Sequence, residues 1–165
     1  MRDDLKYYQL GSWGYDVSSQ RLDALDFACC RYALSTDNRP KHGVDIGCGL
    51  GTVSIALAIL GTQMLSIDLM PLESHFETLH RIAPMAKLEF RRLDVRTLND
   101  RDLDDKYDFF YSRRFLHYLD YAKADILVGL ISNHLVQNGR VFISVSGLNS
   151  ELGNGYGHGS RPIDT

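Results

Sequence analysis

Short apolar segments with strand character alternate along this chain with longer segments whose apolar residues recur every three or four positions. Predicted strands cover residues 43–46, 64–67, 87–93, 107–111 and 141–145, and predicted helices cover residues 20–34, 52–60, 72–82 and 121–137. Strands that are almost continuously apolar and are separated by helices form parallel sheets with helices on both faces. The pattern therefore predicts an α/β fold, with a three-layer, doubly wound, Rossmann-like sheet of about five recognisable strands.

Capping and turn residues predict where these elements begin and end. Ser18 and Ser19 precede the first predicted helix and are its candidate caps, and Gly61 follows the second helix. The dipeptide Asn138-Gly139 predicts a sharp turn between the last helix and the last strand.

Composition excludes several classes of protein. The chain has 165 residues, 44% of them apolar, and a net charge of −3, which suits one soluble domain and disfavours nucleic acid as a partner. Three cysteines, at positions 29, 30 and 48, lack the spacing of a disulfide framework or a zinc site. No signal peptide or membrane-spanning segment is recognisable, so the sequence predicts a cytoplasmic protein with no membrane partner.

The loop after the first predicted strand combines an acidic residue with alternating glycines. Asp45 stands two residues before Gly47, and Gly49 and Gly51 follow, which gives the pattern D-x-G-x-G-x-G. Such glycines allow a tight turn and bring a ligand against bare backbone at a helix N-terminus. A dinucleotide-binding loop needs its third glycine at position 52, where this chain has threonine. The charge of Asp45 would also repel a pyrophosphate and attract a cationic ligand.

These residues resemble a known family. The segment VDIGCGLGTVSIALA at 44–58 is similar to motif I of the class I S-adenosylmethionine-dependent methyltransferases. Later segments resemble the family in its order: residues 107–112 resemble its fourth-strand motif, and LVQNGRVFISVSG (135–147) resembles the approach to its fifth strand. RRFLHYL (113–119) is similar to a segment common among small-molecule methyltransferases. The resemblance implies S-adenosylmethionine as cofactor, S-adenosylhomocysteine as product, no metal, and strand order 3-2-1-4-5. It also implies one domain in three parts: an N-terminal helical segment over the cofactor site (1–40), the cofactor-binding core (41–147) and a glycine-rich tail (148–165).

The resemblance also assigns the contacts to the cofactor. Asp68 matches the acidic residue that hydrogen-bonds both ribose hydroxyls, and Asp94 matches the residue that contacts the adenine amino group. Both carboxylates have an alternative interpretation as helix caps or turn residues, and Asp45 has one as a group that holds the glycine loop. The cofactor-binding residues implied are Asp45, Gly47, Cys48, Gly49, Gly51, Asp68, Leu69, Asp94, Val95 and Ser112.

The methyl acceptor is expected beside the fourth strand, and the resemblance implies a small molecule whose identity the sequence does not give. Arg113 and Arg114 follow that strand and are candidates either for binding a carboxylate or phosphate or for a solvated helix start. His117 is a candidate general base, although its apolar neighbours also suit a packed structural histidine. His117 and Arg113 are the only catalytic candidates, and the remaining histidines have no metal-binding spacing.

Other functions remain open at this point. One is a domain that binds S-adenosylmethionine or S-adenosylhomocysteine as a sensor or scaffold without transferring methyl groups. Another is an NAD-dependent oxidoreductase, which Asp45 and Thr52 disfavour. The residues after Gly147 are too few for the last helix and two strands of the complete methyltransferase fold, so the sequence predicts a chain that lacks those strands and is incomplete as an enzyme. The fifth strand would then be an exposed edge, which predicts a homodimer formed through it.

Overall fold

The computed structural model describes residues 8–9, 15–16, 22–35, 39–103 and 105–145. The central sheet contains β1 (His42–Ile46), β2 (Gln63–Asp68), β3 (Leu88–Arg92), β4 (Tyr107–Arg113) and β5 (Leu135–Ser144). Within these ranges, four α-helices accompany it: α1 (Ala24–Ala33), α2 (Thr52–Ile59), α3 (Glu73–Ile82) and α4 (Tyr121–His134). Short 3-10 helices cover Val95–Thr97 and Leu116–Tyr118, and a separate antiparallel ribbon pairs Tyr8–Gln9 with Tyr15–Asp16.

The five strands are parallel and lie in the order β3-β2-β1-β4-β5. This confirms the predicted strand order and fold class. Asp45 in β1 is level with Ser66 in β2 and with Tyr111 in β4. The carboxyl ends of the central strands therefore meet at one edge of the sheet, which is where doubly wound folds bind ligands.

Apolar side chains fill both faces of the sheet, as the alternation of strands and helices predicts. On one face, Val44 and Phe110 pack with Leu127 and Ile131 of α4. On the other face, Phe109 packs in a cluster that includes residues of α1 and α2. The result is the predicted three-layer arrangement of helices, sheet and helices.

The first helix begins later than its sequence pattern predicts. Asp23 is the N-cap of α1, since its carboxylate accepts hydrogen bonds from the backbone N–H groups of Leu25 and Asp26 at 2.9 and 3.4 Å. The carboxylate of Asp26 in turn accepts a hydrogen bond from the backbone N–H of Asp23 at 2.6 Å, which completes a capping box. Ser18 and Ser19, the predicted caps, lie outside the described residues.

The junction between α4 and β5 also differs from the prediction of a helix to residue 137. The helix ends at His134, and Leu135 already pairs with Tyr107 of β4. Asn138, with φ 65°, lies at a shift in register between the two strands. The predicted turn at Asn138-Gly139 is therefore an irregularity inside a longer strand, because pairing with β4 outweighs the helical tendency of residues 135–137.

Among the described strands, β5 pairs only with β4 and is an edge of the sheet, as predicted. Its Val141 side chain is 40% exposed. Formation of a homodimer through this edge stays a prediction. Within the described ranges, no helix combines the length and apolar character needed to cross a lipid bilayer.

Candidate functional site

The glycine loop joins β1 to α2 and is held by backbone hydrogen bonds to its neighbour strand. The N–H groups of Gly47 and Cys48 both donate to the carbonyl of Ile67 in β2, at 2.9 and 3.1 Å. Gly47, Gly49 and Gly51 have φ values of 70°, 52° and 69°, in the left-handed region that favours glycine. The loop thus forms a compact turn at the carboxyl edge of the sheet.

Two aromatic rings approach this loop so closely that larger residues would not fit. A Cβ atom on Gly47 would lie 2.3 Å from the ring of Phe115, and one on Gly51 would lie 2.7 Å from the ring of Phe76. Phe115 follows β4 and Phe76 belongs to α3, so elements from both sides of the sheet pack on the loop. The glycines are therefore required by packing as well as by backbone conformation.

Asp68, at the end of β2, connects its strand to the glycine loop. Its Oδ2 accepts a hydrogen bond from the N–H of Gly49 at 2.9 Å, and its Oδ1 accepts one from the N–H of Met70 at 3.0 Å. A carboxylate has about four lone-pair sites, so each oxygen retains acceptor capacity for a further donor. The side chain is half-buried at the edge where a ligand would lie.

Asp45 lies beneath the loop and is 2% exposed. Its Oδ2 accepts a hydrogen bond from the hydroxyl of Ser54 in α2 at 2.6 Å. The contact joins β1 to the helix that follows the loop, which agrees with a structural role of Asp45 in holding this region. Its contact with a cofactor stays a prediction.

Asp94 follows β3 and lies close to Asp68 at the carboxyl edge of the sheet. The N–H of the preceding residue, Leu93, donates to the carbonyl of Asp68 at 3.0 Å. Its carboxylate is paired with Arg96, whose Nη2 lies 2.8 Å from Oδ2 and whose backbone N–H lies 2.9 Å from Oδ1. These bonds hold the pKa of Asp94 below its usual range. The predicted contact with adenine would therefore share this carboxylate with Arg96.

The remaining predicted cofactor residues differ in their exposure to solvent. Leu69 is 37% exposed at the end of β2, whereas Val95 is buried in the 3-10 turn after β3. Cys48 is buried in the loop, with its thiol 3.4 Å from the carbonyl of Gly49. Ser112 is buried in β4 and donates its hydroxyl hydrogen bond to the carbonyl of Ile46 at 3.0 Å.

A buried ionic cluster that the sequence analysis did not predict joins α1 to β4. The Arg113 guanidinium lies 2.9 Å from Asp26 and 3.2 Å from Asp23. The hydroxyl of Tyr111 donates to the other oxygen of Asp26. Arg113 was a candidate for binding a substrate anion, but its buried side chain contacts these two carboxylates of the chain itself. The three-residue spacing of Asp23 and Asp26 suits a capping box, so the sequence indicates a helix start at these residues but not their contact with Arg113.

Arg114 and His117 lie at the carboxyl end of β4, on the expected acceptor side. Arg114 has a left-handed backbone, with φ 52°, and its N–H donates to the carbonyl of Ser144 in β5 at 2.8 Å. His117 is half-buried in the 3-10 helix Leu116–Tyr118. Partial burial, followed by the positive charge of Arg114, lowers the pKa of His117 and so favours its neutral imidazole.

Within the described ranges, no group of three or more His, Cys, Asp or Glu side chains is arranged to hold a metal ion. The groups at the carboxyl edge include carboxylate acceptors, backbone amides, the imidazole of His117 and the guanidinium groups of Arg96 and Arg114.

Comparison with solved structures finds the same fold in methyltransferases. The N-methyltransferase NodS from Bradyrhizobium japonicum, in complex with S-adenosylhomocysteine, has a TM-score of 0.55 and 19% identity over 70% of this chain and 57% of its own. Magnesium protoporphyrin IX methyltransferase from Synechocystis, with bound S-adenosylmethionine, has a TM-score of 0.55 and 18% identity, covering 67% of this chain and 52% of its own. An S-adenosylmethionine-dependent methyltransferase from Clostridium acetobutylicum has a TM-score of 0.57 and 18% identity, covering 74% of this chain and 50% of its own.

The chain thus spans about half the length of these structures. No curated protein sequence matches it. The methyltransferase domain family matches residues 20–160, which is most of the chain and includes the glycine loop, Asp68 and Asp94. Sequence motifs, sheet order and family match agree, and the chain belongs to the class I S-adenosylmethionine-dependent methyltransferase family.

Proposed function

We propose that this chain binds S-adenosylmethionine at the carboxyl ends of β1, β2 and β3 and transfers its methyl group to a small-molecule acceptor. The observation that carries the proposal is the position of Asp68. Its carboxylate holds the glycine loop through Gly49 and retains acceptor capacity at the edge of the sheet. Two adjacent ribose hydroxyls are donors of the kind that such a carboxylate accepts.

The electrostatics of the buried residues also fit this ligand. The pKa of Tyr111 is raised by burial, by the charge of Asp45 and by the hydrogen bond and charge of Asp26. The negative charges of Asp45 and Asp26 are therefore both felt at the carboxyl end of β4. Arg113 offsets only part of this charge, since it already pairs with Asp23 as well as Asp26. Carboxylates this close to the carboxyl end of β4 attract a cation such as a sulfonium. When bound, the cofactor supplies a methyl group on a positively charged sulfur.

On the acceptor side, we assign positioning to Arg114 and proton removal to His117. A neutral imidazole next to a guanidinium can take a proton from an acceptor whose anionic group pairs with the arginine. The rest of the catalysis is alignment of the acceptor with the methyl group and exclusion of water. The acceptor we expect is therefore a small molecule with a carboxylate or phosphate group.

Titration calorimetry with S-adenosylhomocysteine tests the cofactor site. We expect binding by the wild-type chain and a loss of about tenfold or more in Asp68→Ala, because a hydrogen bond to a charged group is worth about 1.5–3 kcal/mol. Asp125→Ala is the matched control, since it removes the same charge from an exposed position on α4. Equal affinity in wild type and Asp68→Ala would place the site elsewhere, and binding of NAD without S-adenosylhomocysteine would favour an oxidoreductase.

A second measurement separates an enzyme from a domain that only binds the cofactor. Transfer of a labelled methyl group from S-adenosylmethionine to members of a panel of small carboxylates and phosphates would support the enzyme. Tight cofactor binding with no transfer to the panel, or to any other small acceptor, would favour the sensor or scaffold.

A further inference from the structure

A pocket lies at the opposite edge of the sheet from the glycine loop. It has a volume of about 640 Å³ and lies between α1 and the amino ends of β4 and β5, and we call it the amino-edge pocket. Its walls include Arg31, Tyr32, Lys41, Asp108 and Arg140. Lys41 directly precedes β1, whereas the glycine loop directly follows it, so the sheet separates the two sites.

Positive charges outnumber negative charges among the described residues that line this pocket. Arg31, Lys41 and Arg140 are cationic, and Asp108 is the one acidic lining residue in the described part of the chain. The charge of Asp108 is already compensated: Nη1 and Nη2 of Arg39 lie 2.8 Å from its two oxygens, and the N–H of His42 also donates to it at 2.8 Å. The pocket therefore carries a net positive potential that favours an anion.

Two of these cations contact the ring of Tyr32. Nζ of Lys41 lies 4.8 Å from the centroid of its ring, and the guanidinium carbon of Arg140 lies 5.1 Å from the same centroid. The ring is fixed, since its hydroxyl donates to the carbonyl of Asp108 at 3.2 Å and Phe109 packs edge-on at 6.1 Å. Both cations thus border the same pocket through a shared aromatic neighbour, where their charges attract an anion.

The backbone irregularity in β5 adds neutral donors to the same wall. Gln137 and Asn138 line the pocket, and Asn138 has a left-handed backbone at the shift in register with β4. Bulges of this kind re-aim side chains next to functional sites. Two guanidinium groups, an ammonium group and two amides form a donor set that suits phosphate oxygens.

We propose that the amino-edge pocket binds a small oligophosphate, such as a chain of two or three phosphates, independently of the cofactor site. A pocket of this volume is in the range of small-molecule sites and is larger than one phosphate group requires. Because Lys41 and Arg140 already lie against Tyr32, recognition is directed at the phosphates and not at an attached base.

Titration calorimetry with inorganic triphosphate tests the proposal, in the presence of saturating S-adenosylhomocysteine and in its absence. We expect one equivalent to bind in both conditions, with affinity that falls as salt is raised. In an Arg31→Gln/Arg140→Gln double variant we expect affinity at least about tenfold lower. Both side chains are exposed, so thermal unfolding should confirm that the variant keeps its fold. A parallel titration with a nucleoside triphosphate separates the two sources: equal affinity indicates recognition of the phosphates alone.

An Arg81→Gln/Arg101→Gln double variant is the matched control, because it removes two exposed arginines outside the pocket. Absence of triphosphate binding, or the same loss of affinity in both double variants, would overturn the proposal. Displacement of triphosphate by S-adenosylhomocysteine would also overturn it, since it would place the anion in the cofactor cleft. Triphosphate binding is measured without any methyl transfer. The proposal of an oligophosphate site and the proposal of a methyltransferase can therefore each fail independently of the other.

Discussion

The Arg113 guanidinium, near the end of β4, lies 2.9 Å from the Asp26 carboxylate in the first turn of α1, and both side chains are excluded from solvent. This ion pair joins the helix to the strand beside which the methyl acceptor is expected. Burial of two charges is costly, and it is offset here because Tyr111 donates a hydrogen bond to Asp26 and Asp23 is a second ion-pair partner of Arg113.

Removal of the arginine from this cluster should destabilise the protein strongly. Arg113→Met leaves the buried Asp26 charge uncompensated, and we expect the free energy of unfolding to fall by about 3–5 kcal/mol. Urea unfolding followed by circular dichroism measures the change. Arg101→Met, at an exposed position, should change stability by less than about 0.5 kcal/mol. Similar values for the two variants would show that the pair does not stabilise the fold.

Two glycine-to-alanine substitutions should have opposite effects. In Gly47→Ala the new methyl group meets the ring of Phe115 at 2.3 Å on a backbone with φ 70°, so both stability and S-adenosylhomocysteine affinity should fall. In Gly129→Ala, within α4, nothing lies within 4 Å of the new methyl group, and stability should rise by about 0.5–1 kcal/mol. Thermal unfolding and calorimetry measure the two quantities, and a Gly47→Ala protein with wild-type affinity would contradict the role of the loop.

The titration of His117 provides a test of the acceptor side. Its pKa should lie below the usual value of about 6.5, because burial and the charge of Arg114 both disfavour the imidazolium form. NMR titration of the imidazole protons measures this pKa directly. In Arg114→Gln the pKa should rise, since one of the two causes is removed, whereas Arg101→Gln should leave it unchanged. If methyl transfer uses His117 as a base, its rate should decline as the pH falls through this pKa.

The interaction of Asp94 with adenine can be separated from its interaction with Arg96. Asp94→Ala should weaken S-adenosylhomocysteine binding by about tenfold if the carboxylate accepts from the amino group of adenine. The same variant should bind the inosine analogue, which lacks that amino group, as well as wild type does. An equal loss for both ligands would show that Asp94 acts only as the cap and ion-pair partner of Arg96.

Stability should decline in acid because of Asp108 and Asp94. Burial raises the pKa of Asp108, but the hydrogen bonds from Arg39 and His42 outweigh it, so the net shift is downward. Arg96 lowers the pKa of Asp94. A carboxyl group with a depressed pKa contributes stability that is complete above its unfolded value of about 3.9 and is lost as the pH falls towards the folded value. Urea unfolding at a series of pH values should show a loss below about pH 4 that is smaller in Asp108→Asn.

Sequence patterns predicted the sheet better than the helix ends. The periodicity of apolar residues and the glycine loop predict the strands from β1 to β3, because each pattern is local and strong, and the family resemblance implies the order of the sheet. The pattern predicts a start of α1 near residue 20, because serines are common helix caps, whereas in the structure Asp23 and Asp26 form the capping box. The start of β5 was missed because residues 135–137 suit a helix until β4 is present to pair with them.

The sequence by itself determined that this chain has an acid-containing glycine loop after its first strand and carboxylates at the ends of the next two. These features depend on residues near one another in the chain, so spacing alone reveals them. Only the tertiary structure decided which charges are already paired. Arg113 meets carboxylates at the start of α1 more than 80 positions earlier, and Lys41 and Arg140 both contact the ring of Tyr32. Contacts between such distant positions arise from the packing of helices on the sheet, and local sequence patterns carry no record of them.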